Sequence, residues 1–310
     1  MSSTPDRWPA LSLAEWRDTY ATLHMYTQVV GKLKLAYCPM MNQWWQVALA
    51  VTTRGLGTGP IPYEGRTFEL DFDFFVHRLE IRTSDGDLVH VPLGGSVKDF
   101  YQELMATLRG LGITATISML PQEVPDPIPF DHDTGHATYN EAHVRRWFQI
   151  LTQAHMALTR FRARYTGKCS PVHFWWGSFD LAVTRFCGRP AAPREGADKI
   201  TRLAYNEECS SVGFWPGGIQ DIQEAAFYAY HVPKPEGFEL ALPDRWHAGL
   251  GEYLLPYDQV RAAADPEAEV IAFAQAAFEA GSRLAAWPPR ELHAAIVTIE
   301  GPQARSPKGA

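Results

Sequence analysis

Between Ala14 and Val30, Trp16, Tyr20, Leu23 and Thr27 recur at the spacing that lines one face of a helix. Shorter apolar or alternating stretches follow at Trp44–Thr53, Thr67–Phe75, Leu79–Thr83 and Leu88–Pro92, and they read as strands. Ser84-Asp85-Gly86-Asp87 supplies the turn between the last two, and a second helix over Val97–Leu108 ends at Gly110 and Gly112. The order then repeats. A helix is expected over Glu141–Tyr165, strands over Val172–Arg185, Ser210–Phe214 and Glu224–His231, and a closing helix over Pro266–Ala285. Tyr253-Leu254-Leu255-Pro256 resembles His90-Val91-Pro92. Pro121 to Pro129 can continue neither a helix nor a central strand and reads as a linker or an ordered arm.

A shift of 131 residues lays one half on the other without a gap. Trp16 falls on Trp147, His24-Met25 on His155-Met156, Cys38 on Cys169, Trp44-Trp45 on Trp175-Trp176, and Thr53-Arg54 on Thr184-Arg185. Coincidence among such rare residue types is the mark of a repeated unit. The expected fold is therefore α+β: two divergent tandem copies of a helix–antiparallel sheet–helix unit. They would be related by a pseudo-twofold, with a cleft between the two sheets. Residues 10–120 form the first repeat, 121–140 a Pro-rich linker, 141–288 the second repeat and 289–310 a tail, disordered after Glu300.

Composition narrows the function classes. The net charge of -7 gives no basic footprint for nucleic acid, and no apolar run is long enough to cross a membrane. The N-terminal stretch lacks the pattern of a signal peptide. Cys38, Cys169, Cys187 and Cys209 show no CxxC spacing, so reduced thiols in a cytoplasmic protein are expected. Trp44, Trp45, Trp175, Trp176 and Trp215 sit beside polar residues or glycine, as the walls of an aromatic-lined cavity would.

The phrases TLHMYTQVVGKLKLA, GPIPYEGRTFELDFDF, CSPVHFWWGSFDLAVTRF and GFWPGG resemble the uncharacterised bacterial family of domains of unknown function numbered 5996, from about Trp8 to Ala285. The resemblance implies a bacterial cytosolic protein and brings no activity with it. Where the family reads Asn-His-Trp-Trp-His, this chain has Asn42-Gln43-Trp44-Trp45-Gln46, followed by Ala48 and Ala50. That departure implies a larger, less basic pocket suited to a specialised pathway, with neutral drift as the competing account.

Alternation along an unbroken strand would put His173, Trp175, Phe179, Leu181, Val183 and Arg185 on one face. The matching face of the first copy would carry Asn42, Trp44, Gln46 and Arg54. His173 is a candidate for proton transfer or, equally, a core histidine satisfied by a carbonyl. Arg54 and Arg185 could clamp an anion through bidentate hydrogen bonds, or pair structurally with Asp71 or Glu207. Asp180 faces away from His173 unless a bulge at Gly177-Ser178 swings it into the cleft. Glu207 and Glu208 offer a second carboxyl. His132 and His136, with Asp131 and Asp133, lie in a Pro/Gly-rich stretch rather than on a helix, and no metal site is expected there. No P-loop, dinucleotide fingerprint or Gly-x-Ser-x-Gly elbow occurs, so no nucleotide cofactor is expected.

These residues suggest a metal- and cofactor-independent acid–base enzyme acting on a small, anionic metabolite by elimination, cyclisation or isomerisation. His173, Asp180 and Glu207 would be its catalytic candidates; Asn42, Trp44, Gln46, Arg54, Trp175, Arg185 and Trp215 would line the substrate. The alternative is a non-catalytic module whose cleft holds a small molecule, a partner protein or a second copy of the chain.

Overall fold

A computed structural model describes residues 6–193, 195–218 and 222–288, so the expected tail lies outside the described residues. The first half begins with α1 (Leu13–Tyr37) and continues through β1 (Ala50–Val51), β2 (Leu56–Gly57), β3 (Ile61–Tyr63), β4 (Arg66–Asp73), β5 (Arg78–Thr83) and β6 (Leu88–Pro92) to α2 (Val97–Gly110). The second begins with α3 (Glu141–Ala163), then β7 (His173–Trp175), β8 (Asp180–Pro190), α4 (Lys199–Ala204), β9 (Glu207–Trp215) and β10 (Ala226–Val232). It closes with α5 (Phe238–Ala241), β11 (Trp246–His247), β12 (Glu252–Pro256), α6 (Tyr257–Ala262) and α7 (Pro266–Leu284).

Each half therefore runs from a helix through an antiparallel sheet to a helix. The first sheet has the order β1-β2-β4-β5-β6 with β3 paired to β4; the second has the order β11-β12-β10-β9-β8-β7. Phe68, Leu70 and Phe72 on β4 and Leu79 and Ile81 on β5 are buried on one face of the first sheet. Its other face carries a half-exposed ladder in which Arg82 pairs with Glu69, Asp71 and Glu80. α2 starts with a capping box between Ser96 and Asp99, which satisfies the first free backbone N–H groups.

The halves share one continuous hydrophobic core that runs from Trp8 to Trp287. Leu49 and Phe174 exchange both backbone hydrogen bonds at 2.9 Å and tie the segment before β1 to β7. Trp16 on α1 and Trp147 on α3 stack with ring centroids 6.0 Å apart.

Two expected strands are not what alternation suggests. Asn42–Val47 is a turn, with Asn42 and Trp44 at φ 45 and 64, so the strand expected over Trp44–Thr53 shrinks to Ala50–Val51. Val172–Arg185 is a tight hairpin rather than one strand, because Trp176-Gly177-Ser178-Phe179 reverses the chain between β7 and β8. The expected cleft between sheets also moves. The first sheet turns its ion-pair ladder outward, and a half-open cavity lies over one face of the second sheet alone.

Candidate functional site

The hairpin turn decides which side chains meet. Facing residues in an antiparallel pair share a side, so Trp175 goes with Asp180 and His173 with Ala182. The reversal inverts the parity expected of an unbroken strand. Asp180, Ala182, Thr184 and Phe186 look into the cavity. Leu181, Val183 and Arg185 look the other way, onto α3 and α7.

Several contacts hold the turn in place. Phe179 adopts φ 58, an uncommon conformation for an aromatic residue. Its ring is buried between Trp147 and Tyr20, each centroid 4.9 Å away, and Phe174 at 5.0 Å, and that packing offsets the backbone cost. Trp176 lies flat on α1 at Gly31, where an added Cβ would come within 2.3 Å of the indole, and its Nε1 donates to Val47 O at 2.8 Å. Nε2 of His24 on α1 lies 3.0 Å from Trp176 O and 2.8 Å from Gly177 O, so it carries the proton and donates to them. Burial lowers the His24 pKa to about 4 and keeps this ring neutral.

The cavity has a volume of about 470 Å³, within the range of small-molecule sites. The second sheet forms its floor. The turn at Gln43, Trp44 and Trp45, the linker at Gln122 and Glu123, and α4 at Ile200 and Ala204 with Tyr205 just after it border its mouth. Trp44, Trp45, Trp175, Trp176 and Trp215 all border it. Trp215 stacks on Tyr228 at 4.2 Å, and Tyr228 lies parallel to Tyr230 at 6.1 Å. A larger hollow of about 680 Å³ beside Tyr37, Tyr63 and Arg66 is an open surface groove and gathers no buried titratable cluster.

Asp180 is the buried acid of this cavity, 5% exposed. The Tyr228 and Ser178 hydroxyls both donate to its carboxylate. Tyr228 reaches it from β10 by crossing Gly213 on β9, where a Cβ would stand 2.3 Å from the tyrosine ring. Burial raises the Asp180 pKa above the ordinary aspartate value, and the hydrogen bonds from Ser178, Tyr228 and its own backbone only partly oppose the shift. Burial and the neighbouring Asp180 hold the Tyr228 hydroxyl well above its ordinary value, so it stays protonated. Glu123 stands at the rim, still open to solvent, over Gly177; loss of solvation first and Asp180 second raise its carboxyl. Glu252 on β12 is the third carboxyl of the lining.

The remaining candidates are dispersed. His173 is 8% exposed and lies outside the lining, its ring 6.0 Å from Trp45 and 5.3 Å from Trp175. Burial, with Lys34 and Arg162, lowers its pKa to about 4, and its Nδ1 has no hydrogen-bond partner. Arg185 is 0% exposed on the opposite face of the sheet, stacked on Phe161 at 3.5 Å and Phe278 at 4.4 Å. Arg54, its side chain 53% exposed, pairs with Asp73 in the first sheet. The expected arginine clamp is therefore absent from the cavity, because parity removes Arg185 and the shortened β1 leaves Arg54 in a loop. Asn42 is exposed and borders a separate shallow groove; Glu207, in that same groove, pairs with Lys168. Gln46 is buried, accepting from Met41 N at 3.0 Å. His132 pairs with Asp131, and His136 with Asp133.

Trp44, Trp175, Trp215 and Asp180 thus come together, and the structure adds Glu123, Gly213, Tyr228 and Gln43. Gly213 and Trp215 belong to the GFWPGG phrase and Asp180 to WWGSFD, so the two phrases build one floor. Nothing local marks Tyr228 or Glu123.

Fold and site together define an α+β protein with an aromatic-walled, acid-floored cavity over one of its two antiparallel sheets. The chain belongs to the DUF5996 family, a family of unknown function, which it matches over residues 8–294. No curated protein and no solved structure matches it. Among the described residues no helix is long and apolar enough to cross a membrane.

Proposed function

We propose that the protein is an acid–base enzyme that takes a small molecule into the cavity over the second sheet, with Asp180 carrying the proton. The observation behind this reading is the setting of Asp180: buried in an aromatic cavity, held by Tyr228 and Ser178, and without a cationic partner among the described residues. A carboxyl whose pKa is raised by burial holds and passes on a proton more readily than an ordinary aspartate. Tyr228, protonated and fixed on the same carboxylate, holds its orientation. Elimination, cyclisation and isomerisation all fit a dry site with one such acid.

Incubation of the protein in deuterium oxide with pooled small metabolites tests this. Solvent deuterium should enter one metabolite with wild type and not with Asp180→Asn, and Tyr228→Phe should slow the exchange by about 10- to 100-fold. Ligand retention without any exchange would favour the non-catalytic reading of the same cavity.

We also infer that the halves arose by duplication about a local twofold. Trp16 and Trp147, equivalent at the 131-residue shift, stack on one another, as equivalent residues do at an isologous contact. The four cysteines are free thiols, which supports a reducing compartment such as the cytoplasm.

A further inference from the structure

We infer that the cavity takes a small organic cation, an ammonium or quaternary ammonium group on an apolar body, held between the tryptophan rings and the carboxylates of Asp180 and Glu123. This inference rests on the reading that the cavity is the ligand site and adds the charge class of the ligand.

The first argument is charge. Among its described lining residues the cavity has three carboxyl side chains, Glu123, Asp180 and Glu252, and no lysine, arginine or histidine. Neither Asp180 nor Glu123 feels a cation among the described residues; each is raised by lost solvation, and Glu123 further by Asp180 itself. An anion entering here would meet like charge and no counter-ion among the described lining residues. A cation would offset the solvation that burial removes from Asp180, with Glu123 at the rim beside it.

The second argument is hydrogen-bond polarity. Four donors around the floor are engaged: Tyr228 and Ser178 on Asp180, the Trp44 indole on Ile200 O at 3.1 Å, and the Trp176 indole on Val47 O at 2.8 Å. Tyr205 and Tyr230 share a hydrogen bond at 3.1 Å. The wall also holds a buried acceptor without a donor. Gln43, 7% exposed and part of the cavity wall, donates its amide N–H to Asn206 at 2.9 Å while its buried Oε1 accepts nothing. An orphaned buried carbonyl oxygen calls for an N–H or a polarised C–H from an occupant.

The third argument is the wall. Indole faces attract cations through their quadrupole, and the attraction grows when water is excluded. Trp44, Trp175 and Trp215 bound the same space as the carboxylates. Aromatic walls with an acid at the floor and another at the rim suit an alkylated ammonium better than a hydrated inorganic ion.

Three probes with one body and different charge test the inference by titration calorimetry: benzyltrimethylammonium, benzyl alcohol and benzoate. The cation should bind at least about 10-fold more tightly than either of the others. Glu123→Gln and Asp180→Asn should each weaken the cation by about 10-fold and leave benzyl alcohol within about threefold. Thermal melts confirm folding, and Glu123, at the rim, is the safer of the two variants. Benzoate or benzyl alcohol binding as tightly as the cation would overturn the charge class while leaving the cavity as the ligand site. Failure of all three to bind at about 10 mM, far above the affinity expected of a preformed cage, would overturn both.

Discussion

The Tyr228 hydroxyl on β10 reaches the Asp180 carboxylate on β8 across a whole intervening strand, because the residue between them on β9 is Gly213. Any side chain at 213 would occupy the path of the tyrosine ring. A Cβ there would stand 2.3 Å from the phenol and 2.5 Å from Leu181 O. Gly213→Ala should therefore displace Tyr228 and lower stability by about 1–3 kcal/mol through overpacking. It should also cut exchange activity about as deeply as Tyr228→Phe. Thermal melts and the deuterium assay on the same sample check both expectations.

Arg185 gives a prediction of the opposite sign. Its guanidinium is buried against Phe161, Phe278 and Tyr165, donates to Phe161 O, and leaves Nε and Nη1 without partners. No carboxylate partners it among the described residues, and burial lowers its pKa to about 10, so it stays charged at neutral pH. Replacing a poorly compensated buried charge by an apolar side chain of similar length is often neutral or stabilising. Arg185→Met should leave stability unchanged or raise it by up to about 2 kcal/mol, with probe affinity within about twofold of wild type. A fall of about 3 kcal/mol or more in urea unfolding would show that the ring stacking contributes more than the desolvation costs.

The difference between the two halves of the site's legibility lies in one turn. Helices were readable because Trp16, Leu23 and Thr27 keep a period that burial enforces, and α2 and α7 end close to where the sequence ends them. The tryptophan clustering was readable because Trp-Trp and Trp-Pro beside polar residues are unlike a plain core. Parity was not. Reading Val172–Arg185 as one strand assigns Arg185 to the cavity and Asp180 to the core, and the reversal at Gly177-Ser178 exchanges them. Gly177-Ser178 did mark an irregularity, but a bulge and a tight reversal share that signal. Phe179 and Trp44 at positive φ have no signal of their own, since tertiary packing holds them there. Tyr228 was hidden for a related reason: its partner lies two strands away.

Buried neutral histidines set a window of acid sensitivity. His24, His173 and His231 each have a pKa lowered to about 4, chiefly by burial. Unfolding returns each to its ordinary value of 6.5, so the unfolded chain takes up protons first. The stability they protect is full above about pH 6.5 and is lost as the pH falls towards about 4, by about 1.4 kcal/mol per pH unit for each ring. Asp180, raised in the fold, works in the other direction and gains on acidification. Urea midpoints should therefore drop between about pH 7 and about pH 5. His231 has neither ring nitrogen hydrogen-bonded and packs against Phe238 and Trp287, so His231→Leu should flatten that slope by one proton. An unchanged slope in the variant would mean that His231 is already charged in the folded protein.

The carboxyl carbon of Asp180, followed by carbon-13 NMR against pH in wild type, Tyr228→Phe and the benzyltrimethylammonium complex, tests the central claim most directly. The structure buries this group in the cavity with two hydroxyl donors and no cation beside it among the described residues. Its midpoint should lie above the ordinary aspartate value of about 3.9 in the free protein. It should rise further in Tyr228→Phe, which removes a donor to the charged form, and fall by about one unit or more when the cation is bound. A midpoint at or below the ordinary value, unmoved by both changes, would contradict the account, because Asp180 would then be an already satisfied carboxylate with no proton to exchange.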